Sequence, residues 1–382
     1  MKIISKYFFF IYFFLNLNNL YSYEVIRDPI FEDYFFKISE KLNLNNVNTY
    51  LVRDKSVNAF VINNNIYFTT GLLKSINDED TIKAIYLHEY GHIIKNHFLS
   101  KKIKIQQSNN KSTFFNLFSV GLAVLTANNN LGIGTSITLN SKLIGEISQH
   151  SVNFEIEADN FMIDNIKKNK INTTELISFL SKVEDPKNYY FKTHPSSADR
   201  IDNLNKLKFN KSNNSEIFNW IKSKYSKNSY NKDYNIFFLN LESGIFDQDK
   251  KIKDIDKKLI QYEAFKRGFF LDNWSTNFQN LIKINKSSFL KIEYINFLLD
   301  NNLEDKYFII DDLKFDKNVM NEYFYYYIYG KYYNKLDLES LSNFYFCQFY
   351  KTINSKNKAD FFCKKYDNKD IPTLDKSYAL FK

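Results

Sequence analysis

The chain has 382 residues, of which 44% are hydrophobic, and a formal net charge of +9 at pH 7. Its length and apolar content suffice for two domains with real hydrophobic cores. The basic excess is modest and has no cluster, so it gives no support for specific nucleic-acid binding and only weak support for peripheral contact with anionic membranes.

Residues 1–22 have the pattern of a secretory signal peptide. Lys2 and Lys6 precede an apolar run at residues 7–15, and polar or small residues follow it. The alternative is an uncleaved anchor, which the short run disfavours because a membrane-spanning helix needs about 20 apolar residues. The pattern predicts export of the chain.

The segment His88-Glu89-Tyr90-Gly91-His92 points to metal chemistry. Residues four apart lie on one face of an α-helix, so His88 and His92 can direct ring nitrogens at one ion. Glu89 lies beside them, where a general base would be needed. The segment therefore predicts a zinc site with its own base. All five histidines of the chain fall between residues 88 and 194, which strengthens this interpretation.

The sequence around this segment predicts a helix. Asn77 or Asp78 is a suitable N-cap, and acidic residues at 79 and 80 occupy the first turn. Lys101 and Lys102 would place positive charge at the far end of the helix.

Residues 112–141 contain no charged side chain. The best apolar run, residues 114–127, is too short to span a bilayer. We interpret the stretch as a lid or plug packed near the histidines, with insertion into a membrane as the alternative.

A catalytic zinc usually has three protein ligands and one open position, so His88 and His92 need a third partner. Glu155 and Asp159 share one face of the predicted helix at residues 153–162, whereas Glu157 points elsewhere. We interpret Glu155 as the third ligand and Asp159 as a carboxylate that orients a ligand imidazole. The alternative is a solvated acidic helix face.

Residues 193–201 supply one more histidine and an arginine. Pro195 suits the first turn of a helix, which would place His194 directly before the start of that helix. His194 is expected either to hydrogen-bond a transition-state oxyanion or to occupy the open zinc position and silence the enzyme. Arg200 is expected either to stabilise negative charge or to pair with Asp159. An ordinary helix start with a surface salt bridge is the alternative for both residues.

After a polar linker at residues 210–214, apolar runs of helical length appear at residues 257–270, 277–299 and 319–333. The abundant Tyr and Phe side chains there are expected to pack between helices. Cys347 and Cys363 are expected to form a disulfide in an exported chain, in preference to buried thiols in a reduced compartment.

The segments at residues 88–92, 153–162 and 193–201, in this order, resemble those of the gluzincin metallopeptidase family. This family includes the heat-shock protease HtpX, the CAAX prenyl endopeptidases and the mitochondrial protease Oma. Within the family the sequence most resembles the soluble periplasmic branch typified by the β-barrel assembly-enhancing protease. The resemblance begins at residues 58–60 and 66–73 and ends near Ile201, so it covers under half of the chain.

The resemblance implies a site residue by residue. His88, His92 and Glu155 would bind one Zn²⁺ per chain, and Glu89 would be the general base. Asp159 would be an orienting carboxylate, His194 and Arg200 an auxiliary histidine and arginine, and His97 a structural histidine. An edge strand that holds an extended peptide would contain Asn58, Ala59 and Phe60. The sequence departs from the family near His150 and at Val152, where relatives commonly carry a tyrosine and an arginine.

The implied fold is α+β. A mainly helical zinc metallopeptidase domain with a small edge-stranded sheet, residues 23–205, would precede an all-α interaction domain, residues 206–382. Relatives often append tetratricopeptide-like hairpins there, and a degenerate version is one interpretation of this segment, in which no repeat consensus is legible.

The implied activity is hydrolysis of peptide bonds in unfolded or misassembled envelope proteins in the periplasm. The C-terminal domain would contact the outer-membrane assembly machinery. Two alternatives are a zinc-stabilised, non-catalytic chaperone or scaffold for outer-membrane proteins and a membrane-embedded protease.

Overall fold

A computed structural model of the chain provides the fold. It describes residues 22–45, 47–62, 65–107, 139–140, 152–183, 194, 199–227, 229, 231–247, 252, 257–267, 288–300, 323–352, 356–367, 369 and 371–372. The predicted signal peptide lies outside these residues, except for Ser22, and so do Pro195 and the apolar stretch 112–141, except for residues 139–140.

A five-stranded sheet forms the first layer, with strand order β3-β4-β2-β1-β5. Strands β2 and β4 are parallel, and the other neighbouring strands are antiparallel. Strand β3 lies at one edge of this described sheet, where Ala59 pairs with Phe68. The strands are Ser22–Ile26 (β1), Thr49–Arg53 (β2), Ala59–Ile62 (β3), Asn65–Thr69 (β4) and Leu139–Asn140 (β5).

Helices cover one face of the sheet. Asp28 caps the first of them by accepting the N–H groups of Ile30 and Phe31, and Asp78 caps the helix of the histidine motif by accepting that of Thr81. The helices up to residue 205 are Pro29–Lys41 (α1), Thr70–Ser75 (α2), Glu79–Ile94 (α3), His97–Gln107 (α4), Val152–Asn169 (α5), Thr174–Val183 (α6) and Asp199–Asn205 (α7).

The helix of the histidine motif is shorter than predicted. It ends at Ile94, and a second helix begins at His97, so Lys101 and Lys102 do not lie at the end of α3. Asn96 adopts a left-handed conformation with φ of 54°, which asparagine tolerates better than most residues. This single residue turns the chain and starts a new helix.

All described elements after residue 206 are helices. They are Glu216–Ser226 (α8), Lys232–Glu242 (α9), Lys257–Lys266 (α10), Ser288–Asp300 (α11), Tyr323–Lys335 (α12), Glu339–Thr352 (α13) and Lys356–Cys363 (α14). The predicted fold class, a mainly helical α+β protein, is therefore confirmed. Among the described helices, none combines the length and the apolar composition that crossing a lipid bilayer requires.

One apolar core joins the sheet to the helices that follow residue 206. Phe35 and Ile85 lie in the same buried cluster as Trp220 of α8 and Tyr294 of α11. A second cluster lies between α11, α12 and α13 and is rich in tyrosine. The division at residues 205 and 206 stays a prediction, although α8 to α11 share the core of the sheet.

The last helices are held by aromatic packing and a disulfide. The Tyr345 ring stacks on Tyr329 and Tyr333, with ring centroids 5.0 and 5.4 Å apart, as expected for packing between helices. Cys347 and Cys363 are bonded, which confirms the predicted bridge between α13 and α14.

Candidate metal centre

Helices α3 and α5 bring the predicted ligands together because Gly91 lets them approach closely. A Cβ atom at Gly91 would lie 3.0 Å from the Cα and 3.1 Å from the carbonyl oxygen of Ala158. His88 and His92 on α3 consequently face Glu155, which lies on α5 less than one turn before Ala158. The fourth member of the group, His194, lies a few residues before α7.

Four donor atoms converge at the centre. His88 Nε2 lies 3.2 Å from His92 Nε2, 3.3 Å from Glu155 Oε2 and 3.3 Å from His194 Nδ1. Glu155 Oε1 is 3.3 Å from His92 Nε2, and Glu155 Oε2 is 3.2 Å from His194 Nδ1. All four side chains are buried, and in the described part of the chain they form a group that can hold a metal ion.

These spacings fit a zinc ion. Zinc binds imidazole nitrogen and carboxylate oxygen at about 2.0–2.2 Å, and a tetrahedron with such bonds has edges of about 3.3–3.6 Å. The separations among His88 Nε2, His194 Nδ1 and Glu155 Oε2, and that between the Nε2 atoms of His88 and His92, are 3.2 or 3.3 Å and lie close to that edge, while ligand atoms of all four residues lie within 4.8 Å of one another. Nitrogen and oxygen donors in this ratio also suit zinc better than calcium or magnesium, which prefer oxygen alone.

The outer ring nitrogen of His88 contacts a carboxylate. His88 Nδ1 lies 3.0 Å from Asp159 Oδ1, and Arg200 Nε donates to Asp159 Oδ2 at 2.7 Å. Arg200 also donates to Glu155 at 3.1 Å. Arg200 is buried, so the structure has the predicted pairing with Asp159 and not a surface salt bridge.

The sequence did not reveal the partner of His92. His92 Nδ1 lies 2.8 Å from His97 Nδ1, and His97 Nε2 lies 3.2 Å from Glu157 Oε2. His97 was expected to be structural and Glu157 to point away from the ligands. Their link is visible only once the chain turns at Asn96, because a continuous helix would carry His97 away from His92.

His194 has two partners on opposite sides of its ring. Its Nδ1 faces the other three donors, while its Nε2 lies 3.1 Å from the carbonyl oxygen of Ala59 on strand β3. Because a carbonyl only accepts, the Nε2–H group donates to Ala59, and the lone pair on Nδ1 faces the centre. This tautomer follows from the partners and suits a fourth ligand better than an oxyanion donor.

Glu89 is buried beside the donors. Neither of its carboxylate oxygens has a hydrogen-bond partner among the described residues, and His194 Nε2 lies 3.5 Å away. Burial raises the pKa of Glu89, although the nearby His194 and His88 oppose that rise. A buried carboxylate that has a raised pKa and no hydrogen bond among the described residues is suited to exchanging a proton.

The two motif histidines differ in proton affinity. Burial lowers the pKa of His88, but the hydrogen bonds to Asp159 and Glu155 outweigh it and raise this pKa to about 10. For His92 burial dominates and lowers the pKa to about 3. Glu155, despite burial, has a pKa well below its usual value because of His194 and His88.

Of the predicted strand residues, Ala59 reaches the centre through its carbonyl group. Asn58 donates its backbone N–H to Thr69, and the Phe60 ring stacks on Tyr67 at 5.2 Å, which places that ring on the sheet face away from the core helices. The strand is buried, so its side chains are not an open surface in this state.

Comparison with known proteins identifies the family. The sequence profile of peptidase family M48 matches residues 32–208, a stretch that includes His88, His92, Glu155, His194 and Arg200. A comparison with curated proteins gives no match. Residues 32–208 of the chain thus form a metallopeptidase domain of peptidase family M48.

Proposed function

We propose that the protein is a zinc-dependent endopeptidase that hydrolyses peptide bonds in unfolded or misassembled envelope proteins. The observation that carries the proposal is the group of four buried metal-ligating side chains, whose ligand atoms lie within 4.8 Å of one another, next to a buried glutamate with no hydrogen bond among the described residues. We place the protein in the periplasmic branch of the family.

His88, His92 and Glu155 would hold the zinc. Asp159 accepts the Nδ1–H of His88 and thereby leaves the Nε2 lone pair for the metal. Arg200 pairs with both acidic residues and fixes their orientation. A bound zinc ion lowers the pKa of water from about 15.7 to about 7 and polarises a carbonyl group.

Glu89 is the general base in this proposal. It takes a proton from the attacking water and delivers it to the leaving amine when the peptide bond breaks. Its burial raises its pKa, which helps Glu89 to hold the proton between these two steps, and the same burial excludes competing hydrogen bonds.

His194 would cap the zinc in the resting state. Its Nδ1 occupies the fourth donor position, and its Nε2 uses the carbonyl of Ala59. An extended peptide would need that same carbonyl to pair with strand β3. One movement of His194 would therefore free both the metal and strand β3. Folded substrates would be rejected, because only an extended segment can pair with that strand.

The compartment and partners belong to the proposal as well. Residues 1–22 would direct export to the periplasm, and the disulfide between Cys347 and Cys363 supports an oxidising compartment. The helices after residue 206 would contact outer-membrane assembly machinery, with peripheral membrane contact as a further option.

Glu89→Gln tests the chemistry. We expect the variant to retain one zinc per chain, because Glu89 is not among the donors, and to lose cleavage of unfolded casein by about 10²–10⁴-fold. His88→Ala is the matched control, which should lose both zinc and activity. Cleavage by Glu89→Gln at the wild-type rate would rule out the proposed base.

A second candidate function is a zinc-stabilised chaperone or scaffold, which the position of His194 favours because it closes the centre. His194→Ala separates the two. If the cap is releasable, removing it should raise casein cleavage by about tenfold or more, because the competent fraction of molecules rises. A variant that keeps zinc and cleaves no unfolded protein would support the scaffold instead.

A further inference from the structure

His97 contacts the metal centre from outside. Its Nδ1 lies 2.8 Å from His92 Nδ1, the ring nitrogen of His92 that faces away from the other donors. Its Nε2 lies 3.2 Å from Glu157 on helix α5. The His97 ring also stacks on Phe154, with centroids 4.1 Å apart and planes inclined by 7°.

If His92 Nε2 is to bind a metal, only one placement of the ring protons on neutral His92 and His97 fits these contacts. That nitrogen must then carry a lone pair, so the ring proton of neutral His92 is on Nδ1. His92 Nδ1–H donates to His97 Nδ1, which leaves the proton of His97 on Nε2. His97 Nε2–H in turn donates to the Glu157 carboxylate, so each of the ring nitrogens has one role.

We propose that His97 is a positioning residue for the metal, which fixes the tautomer and the ring orientation of His92 and is itself held by Glu157. This inference rests on the proposed function, because it requires zinc at the centre. His88 is oriented directly by Asp159, whereas His92 is oriented through a second imidazole.

The local fold is built for this contact. In a continuous helix the residue five positions after His92 would point about 140° away from it around the axis. The left-handed turn at Asn96 ends α3 and brings His97 back beside His92. Phe154 then fixes the plane of the His97 ring.

Water is a poor substitute for His97. The His97 side chain is 1% exposed and His92 is fully buried, so loss of the acceptor would leave a buried N–H group without a hydrogen bond. Glu157 is 50% exposed, so solvent can replace part of its contribution.

Zinc affinity, measured by competition with a chelator, tests the inference. His97→Phe retains a planar ring that can stack on Phe154 but offers no acceptor, and we expect zinc to bind about 10–100-fold more weakly. His97→Asn places an oxygen where Nδ1 stands, and we expect it to recover most of the affinity. The absorption spectrum of the Co²⁺-loaded protein should change in His97→Phe and return towards wild type in His97→Asn.

Three outcomes of the zinc-affinity measurements would contradict a proposal. Wild-type zinc affinity in His97→Phe would overturn the positioning role, and an equal loss in His97→Phe and His97→Asn would assign the effect to packing alone, which also overturns it. Wild-type zinc affinity in His88→Ala would instead refute the metal centre, and with it the proposed function.

Glu157→Gln provides an independent measurement at a half-exposed position, which carries little risk to folding. It keeps an acceptor for His97 but removes the charge, so zinc should bind more weakly, by at most about tenfold. If His97→Phe does not fold, an unchanged affinity in Glu157→Gln together with a wild-type Co²⁺ spectrum contradicts the inference.

Discussion

Gly91 lies between His88 and His92, two of the expected metal ligands, yet its own contact is with the opposite helix. The space that a side chain would occupy is taken by the backbone of Ala158, at 3.0 Å, and by Phe161 Cβ, at 3.3 Å. Glu155 and Asp159 flank Ala158 on that helix, so the separation of α3 and α5 decides whether they reach the histidines.

Gly91→Val should therefore affect stability and metal binding together. Overpacking of this kind costs about 1–3 kcal/mol in the free energy of unfolding. Gly91→Ala should cost less, because alanine favours helix over glycine by about 1 kcal/mol. Urea unfolding measures the first effect and chelator competition the second. Zinc affinity equal to wild type in Gly91→Val would show that the helix spacing does not position Glu155.

At the scale of helices and strands, the sequence predicted the parts of the site that depend on local spacing. His88 and His92 share a helix face because of the four-residue interval, and Glu155 and Asp159 share another for the same reason. Asp78 was one of the two expected caps, because it lies next to Asn77 just before an acidic first turn. Local geometry fixes these features, so no tertiary information is needed.

Features that depend on one residue or on distant pairing could not be predicted. Lys101 and Lys102 were expected at the far end of one long helix, but the left-handed Asn96 interrupts it. The contact of His97 with Glu157 follows from that interruption and from the packing of α5. Strand β5 pairs with β1 across more than 110 residues, a partnership that no local pattern specifies.

At the scale of the whole molecule, a buried ion cluster joins the start of α1 to the helices after residue 206. Lys224 Nζ lies 2.9 Å from Asp28 and 2.5 Å from Glu263, and Tyr225 donates to Asp28. Burial raises the pKa of Glu263 despite Lys224, whereas Lys224 and Tyr225 outweigh burial and lower the pKa of Asp28. One lysine thus serves two buried carboxylates.

Lys224→Met should destabilise the whole protein. Two buried carboxylates would lose their cation, at a cost of about 3–5 kcal/mol at pH 8. Without Lys224 the pKa of Glu263 rises further above its unfolded value, so the folded state binds more protons than the unfolded state, and the deficit shrinks as pH falls towards 5. Urea unfolding at both pH values, each with zinc saturated, measures the difference from wild type.

Lys227→Met is the matched control for this experiment. Lys227 pairs at 2.7 Å with Glu242, whose side chain is 47% exposed, so its loss should cost less than about 1 kcal/mol. Equal losses in the two lysine variants, or a Lys224→Met deficit independent of pH, would show that the buried cluster does not hold these helices to the start of α1.

The link between Asp28 and Tyr225 also has a consequence for biosynthesis. These residues are 197 positions apart, and Trp220 of the shared core is made almost as late. A ribosome therefore finishes every expected metal ligand while the hydrophobic interior beneath them still lacks its last helices. During that interval the nascent polypeptide lacks the rigid support that these side chains need, so we expect no hydrolysis until the later helices have been made and packed.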